Sequence, residues 1–291
     1  HEDWEPYTLD NRFFNEPWQQ IAKIDISMNQ ETYNRVRSQV MPNSPNEDKT
    51  ISSWLNPSVT QITNVDFTSG VRLIRQAGRL GLWANFNTFS AKLDAVLLSA
   101  NAINSSNMTN QILRKYTYDK GEPTTDGNFL IGRPTVFIAG SLCGGTCSGT
   151  FLDVAYYVRR KFAFYNIVGV FTVPDAIVAG DPANQRQSAN AFAALKELDY
   201  FSHDATVFDY TFPNMNIGFQ QTDKPYNYSY IITTRNMNDS FAIATDEDAR
   251  KIGLNHLHRM IAVSLFVDVV GGGGQSKAAI RAQFDTVSFE L

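Results

Sequence analysis

Residues 140–150, Gly-Ser-Leu-Cys-Gly-Gly-Thr-Cys-Ser-Gly-Thr, bring together the groups in this chain best suited to holding an anion. Gly140, Gly144, Gly145 and Gly149 lack the Cβ atoms that would keep a ligand off the backbone, and Thr146, Ser148 and Thr150 add hydroxyl donors. The residues on either side say how such a loop is held. Residues 135–139, Thr-Val-Phe-Ile-Ala, follow Pro134 and read as a short buried strand. Beyond the loop, Phe151, Val154, Ala155 and Val158 recur at helical spacing, and Arg159 and Arg160 stand where the last turn would be. A strand that feeds a helix through a glycine loop leaves free N–H groups at the helix N-terminus, a geometry that favours phosphate. The same residues would also serve an ordinary strand-to-helix turn in which small side chains are needed for packing.

Spacing excludes two phosphate loops. No Lys-Ser or Lys-Thr pair closes the segment, so it is not a P-loop, and Gly-Gly-Thr-Cys-Ser-Gly lacks the dinucleotide spacing, which removes an NAD-type oxidoreductase. Composition excludes other classes. The formal net charge is −4 with no Lys/Arg-rich run, so neither nucleic acid nor an anionic membrane is expected as the main partner. No apolar run reaches membrane length, and insertion is not expected. The only cysteines, Cys143 and Cys147, lie in the loop, which rules out a disulfide framework and suits a reducing cytoplasm. A thiol at a helix N-terminus is expected to be unusually acidic. His256 and His258, two apart on one helix, fall on different faces and do not make a zinc site.

The elements that must position the loop read as an α/β domain. Residues 21–26 form the first expected strand and carry Asp25, an acid that could face a ligand crevice or simply lie at the surface. A short helix is expected over 31–40. A small-residue turn at 68–70 then opens a helical segment with Arg72, Arg75 and Arg79 on one face. That face reads either as a solvated basic surface or, with Ser69, Gly70 and Arg72, as a neighbour of phosphate. Helices follow over 89–102 and 188–201, the second with Phe192, Leu195 and Leu198 directed inward. Residues 167–173 are a near-continuous apolar run, as a strand buried on both faces requires, and 229–234 form another strand. The order strand, helix, strand implies a parallel crossover. A long helix, capped by Thr245-Asp-Glu-Asp, runs to about 270 before the glycine run 271–274.

Taken in order, these segments resemble the bacterial tubulin-like family, large proteins with a divergent tubulin/FtsZ GTPase domain. The loop resembles Gly-Gly-Gly-Thr-Gly-Ser-Gly, with two glycines read as Cys143 and Cys147. Supporting segments are Ser69-Gly70-Val71-Arg72, then Gly78-Arg79-Leu80 and Asn85, and the run 190–199. The resemblance implies a Rossmann-like parallel sheet flanked by helices, with 1–270 as the nucleotide-binding domain and 271–291 opening a further segment. It implies GTP with Mg2+, phosphate contacts from Ser69, Gly70, Arg72, Ser141, Gly144, Gly145, Thr146, Cys147, Ser148 and Gly149, and Asn190 near ribose or base. Asp25 would correspond to the acid near the metal. The family's first strand has no counterpart after His1, so part of the pocket is expected outside this sequence. The resemblance also implies head-to-tail self-assembly, with hydrolysis completed by a neighbour's carboxylate, here Asp268 or Asp285. A Cβ at Cys147 could instead narrow the pocket, leaving a tubulin-fold scaffold with little or no hydrolysis.

Overall fold

The computed structural model describes residues 24–40, 45, 47–48, 51, 54–55, 71, 73–105, 135–173, 182–204, 206–210, 219–232, 261–263 and 265. The chain divides into two compact units, 1–173 with 185–232, and 174–184 with 233–291. Of the second unit, residues 182–184 open a helix and 261–263 are helical. Ser69, Gly70, Arg72, His256, His258, Asp268, Asp285 and the glycine run lie outside the described residues, as does most of the expected helix 245–270.

The first unit is built on a parallel sheet. Strand β1 (Thr135–Ser141) pairs with β2 (Asn166–Thr172) from Thr135 opposite Asn166 to Ser141 opposite Thr172. Strand β5 (Tyr228–Ile232) pairs parallel on the other side of β2. The central position of β2 explains its composition: Ile167, Val168, Val170 and Phe171 are buried, as a strand covered on both faces must be. Two short strands, β3 (Phe208–Tyr210) and β4 (Phe219–Gln221), form a separate antiparallel pair. Their length of three residues each gives too little periodicity to register in the sequence.

Helix α1 spans Gln30–Val40, α2 Arg75–Ala84, α3 Phe86–Ser105, α4 Gly145–Lys161 and α5 Pro182–Phe201. Helix α4 makes the parallel crossover from β1 to β2. Its two faces meet different neighbours. Phe151 joins Phe171 of β2 and Tyr226 in a ring cluster with centroids 5.4–6.4 Å apart, and Tyr226 donates a 2.6 Å hydrogen bond to the Phe151 carbonyl. Tyr157 packs edge-on against Phe86 and Phe89 of α3, while its hydroxyl donates to Asp94 at 2.8 Å. At the C-terminal end Arg159 is buried and donates to the Tyr165 carbonyl and to Asn227 Oδ1. That same Asn227 oxygen accepts the Ile167 N–H at 2.8 Å, tying α4 to the start of β2.

Three expectations need correction. Residues 24–29 are irregular rather than strand. This segment lies over α2 instead of pairing in the sheet: the Ser27 carbonyl accepts from Asn85 Nδ2, and the missing side chain of Gly81 makes room for the Ile26 carbonyl. Phe192 is 65% exposed, because the inward face of α5 is carried by Asn190, Ala191, Ala194 and Leu198. Small residues at that face bring the helix close, and a phenylalanine one position later projects outward. Finally, Arg75 and Arg79 do not form a solvated basic face, since both are paired with acids of other helices.

Candidate functional site

The loop leaves the sheet under close control. Leu142, at the end of β1, is wholly buried, and its N–H donates to the Thr172 carbonyl at 3.0 Å, extending the β1–β2 pairing by one bond. The Cys143 N–H donates to the Ser141 hydroxyl at 3.2 Å. Gly144 is then the N-cap of α4, with extended backbone (φ −81°, ψ 173°) and no side chain capping the helix. The first-turn N–H groups of an α-helix have no partner within the helix, so an uncapped N-terminus presents donors and the positive end of the helix dipole.

The glycines divide the work among themselves. A Cβ on Gly144 would meet no atom of the described residues within 4 Å, so among them this residue opens onto free space. Gly140 is different: a Cβ there would collide with Cys147 Sγ, which shows that the Cys147 side chain packs back over β1. Gly149 and Gly78 let two helices touch through their backbones. A Cβ on Gly149 would run into the Arg75 carbonyl and lie 3.2 Å from the Arg79 nitrogen, and one on Gly78 would collide with the Gly145 carbonyl and lie 2.8 Å from the Thr146 Cα. Helix α2 is thereby seated on the first turns of α4.

The hydroxyls are also divided. Ser148 Oγ donates to the Gly144 carbonyl, and Thr150 Oγ1 donates to the Thr146 carbonyl at 2.9 Å, so both bond back along their own helix. Thr146 is exposed at the first turn. The cysteine expectation is overturned in direction: burial, with a contribution from Cys143, pushes the Cys147 thiol up to about 12. Because the sulfur faces the sheet, loss of solvent outweighs the helix dipole.

Asn190 reaches the loop from α5. Its Nδ2 donates to the carbonyls of Cys143 and Leu73, both at 3.0 Å. Asp25 is exposed, and its Oδ1 accepts the Ser27 N–H at 2.8 Å. Among the described residues no group of three or more His, Cys, Asp or Glu side chains is placed to hold a metal.

Beside the loop lies a cleft of about 460 Å³ that the sequence reading did not anticipate. Arg75 donates to the Ser148 carbonyl through Nε (3.1 Å) and Nη2 (2.8 Å), and its other face grips both carboxylate oxygens of Glu197. Arg79 pairs with Asp153 and lies between the rings of Trp54 and Tyr210, 4.7 and 4.6 Å from their centroids. Asp153 is only 3% exposed. Burial pushes its carboxyl up, against the opposing pull of Arg79. On Arg79 the cost of burial is outweighed by Asp153, Tyr210 and Glu197, so the guanidinium is held above its ordinary value. Both values rise, which disfavours the charged form of the acid and favours that of the base, because Asp153 is the more deeply buried partner; the arginine keeps its proton at any working pH. The sequence did carry one sign of this network, an acid at 153 amid residues otherwise fit for a core.

A parallel α/β sheet whose first described strand ends in a glycine loop at an uncapped helix N-terminus defines a fold of the nucleotide-binding α/β class. The chain belongs to the tubulin-like family: the family model described as "Tubulin like" matches residues 11–289. No curated protein and no solved structure matches it significantly. No helix among the described residues is long and apolar enough to cross a membrane.

Proposed function

We propose that this tubulin-like chain binds GTP with its phosphates over the N-terminus of α4, and that it assembles head to tail, with hydrolysis completed between subunits in the cytoplasm. The observation that carries this reading is the N-cap: Gly144 stands at a helix start with no side-chain cap, and no atom of the described residues lies within 4 Å of its missing side chain. Backbone N–H groups of Gly144, Gly145 and Thr146 bind phosphate oxygens, with the exposed Thr146 hydroxyl as a further donor. Ser141, Cys147, Ser148 and Gly149 build the turn that aims them. Ser69, Gly70 and Arg72, which lie outside the described residues, would add phosphate contacts on the strength of the family resemblance alone.

Mg2+ bound beside nucleotide phosphates needs only one or two carboxylates from the protein. Asp25 fits that requirement. It is exposed, and the adjoining Ile26 carbonyl lies against Gly81 of α2, three residues along from the Gly78 that touches the loop. When bound, the ion would offset phosphate charge, with Asp25 as its protein ligand.

One observation favours a second reading, a scaffold with weak or no hydrolysis. Ser148 and Thr150 spend their hydroxyl hydrogens within α4, which leaves the loop fewer side-chain donors than its sequence offers. Competition titration with GTP and ATP tests the proposal. Preferential displacement by GTP is expected; equal binding removes the guanine claim, and absence of binding by either leaves the scaffold.

A further inference from the structure

We propose that Asn190 is the positioning residue of the glycine loop, fixing the direction of the Gly144 N–H, and that it is not itself a ligand of ribose or base. The functional consequence rests on the GTP-binding reading above; the geometry stands without it.

Asn190 is buried on the inward face of α5 with Ala191 and Ala194, and it reaches the loop from that helix. An asparagine amide has two N–H donors, and its two hydrogen bonds here go to the Cys143 and Leu73 carbonyls. What this does to the loop follows from the planarity of the peptide unit. In a trans peptide the C=O and N–H point in opposite directions. Holding the Cys143 carbonyl toward α5 therefore turns the Gly144 N–H away from α5, and on the GTP-binding reading that is the side on which phosphate is received.

Such an anchor is needed at this peptide in particular. The two preceding units are already tied, the Leu142 N–H by the Thr172 carbonyl and the Cys143 N–H by the Ser141 hydroxyl. The Cys143–Gly144 unit precedes a glycine, whose backbone freedom makes rotation of that unit inexpensive. Rotated, it would aim a carbonyl oxygen at an incoming phosphate and withdraw a donor. The second bond, to Leu73, lets the same amide hold the approach to α2 against the loop. Asparagine suits the position because it supplies two donors on a short stem. An isosteric aspartate would face two carbonyl oxygens with a carboxylate.

The test compares full-chain wild type with Asn190→Ala and with Asn190→Ser, which keeps one donor, in titrations with GTP, GDP and guanosine. Hydrogen exchange over 140–148 is followed in parallel. For Asn190→Ala the account expects GTP and GDP affinity to fall about tenfold or more while guanosine binding is unchanged, with a smaller loss for Asn190→Ser. Faster exchange over 140–148 is expected in both variants. An equal loss for guanosine would make Asn190 a direct contact and overturn the proposal, as would lower thermal stability with unchanged affinities. If Asn190→Ala does not fold, the Asn190→Ser comparison decides by the same criteria. Should wild type bind none of the three, the GTP reading fails, and exchange alone decides: acceleration over 140–148 supports the anchor and identical exchange overturns it.

Discussion

Arg79 Nη2 stands 2.7 Å from Asp153 Oδ1, and the guanidinium carrying that bond lies between the rings of Trp54 and Tyr210. The pair joins α2 to α4 just beyond the glycine loop. Removing one partner strands a charge in the interior. Asp153→Asn is therefore expected to cost about 3–5 kcal/mol in urea unfolding, whereas Arg79→Met with Asp153→Leu together should cost far less. A single-variant loss below about 1 kcal/mol would show that solvent reaches the arginine and that the pair does not hold the helices.

The two contacts through missing side chains make a sharper comparison. Gly149→Ala and Gly78→Ala both push a methyl into backbone, and each should lower stability by about 1–3 kcal/mol, the usual range for overpacking. Gly144→Ala meets no atom of the described residues at an ordinary φ, so only alanine's poorer fit at an N-cap counts against it and its cost should stay below about 1 kcal/mol. Similar losses for all three in denaturant melts would contradict this division of roles.

Much of this arrangement was legible in the sequence, and the reason is periodicity. The short apolar runs 135–139 and 167–173 place β1 and β2 within two residues of their observed bounds, and Phe151, Ala155 and Val158 fall in α4, although that helix begins at Gly145, inside the segment read as loop. Glycines were visible as glycines, but their separate purposes were not. Whether a missing Cβ faces open space among the described residues, as at Gly144, or another helix, as at Gly149, depends on a partner more than 70 residues away in the chain. The same limit hid the Arg75–Glu197 and Arg79–Asp153 pairs and the direction of Cys147. Local pattern reveals a face of a helix, and it does not reveal what meets that face.

Cys147 should act through pH. Its thiol is raised by burial from 9.0 to about 12, so between those values the unfolded chain loses a proton that the folded chain keeps. Stability must then fall as pH rises, by up to about 1.4 kcal/mol per unit from this group alone. Cys147→Ala should remove that part of the alkaline slope. Identical slopes for wild type and variant between pH 9 and 11 would show that the thiol is solvated in the folded protein.

Hydrolysis completed between subunits predicts a concentration dependence. GTP turnover per subunit should rise steeply as the chain assembles, and Asp268→Ala or Asp285→Ala should lower turnover while leaving GTP affinity unchanged. Turnover measured by phosphate release from dilute to assembled protein decides this. A constant rate per subunit would contradict it, and no turnover at any concentration would favour the scaffold.

If phosphate is received in the space before Gly144, a calorimetric titration of GTP into wild type and Gly144→Val will separate the two proteins. Valine is compatible with the extended backbone there and at its Cβ meets no atom of the described residues within 4 Å, so the variant is expected to fold. Its side chain would, however, occupy the phosphate position. Wild type should bind GTP, and Gly144→Val should lose affinity by at least about tenfold while remaining folded by its unfolding transition. Equal GTP affinity in the two folded proteins would contradict phosphate binding before Gly144.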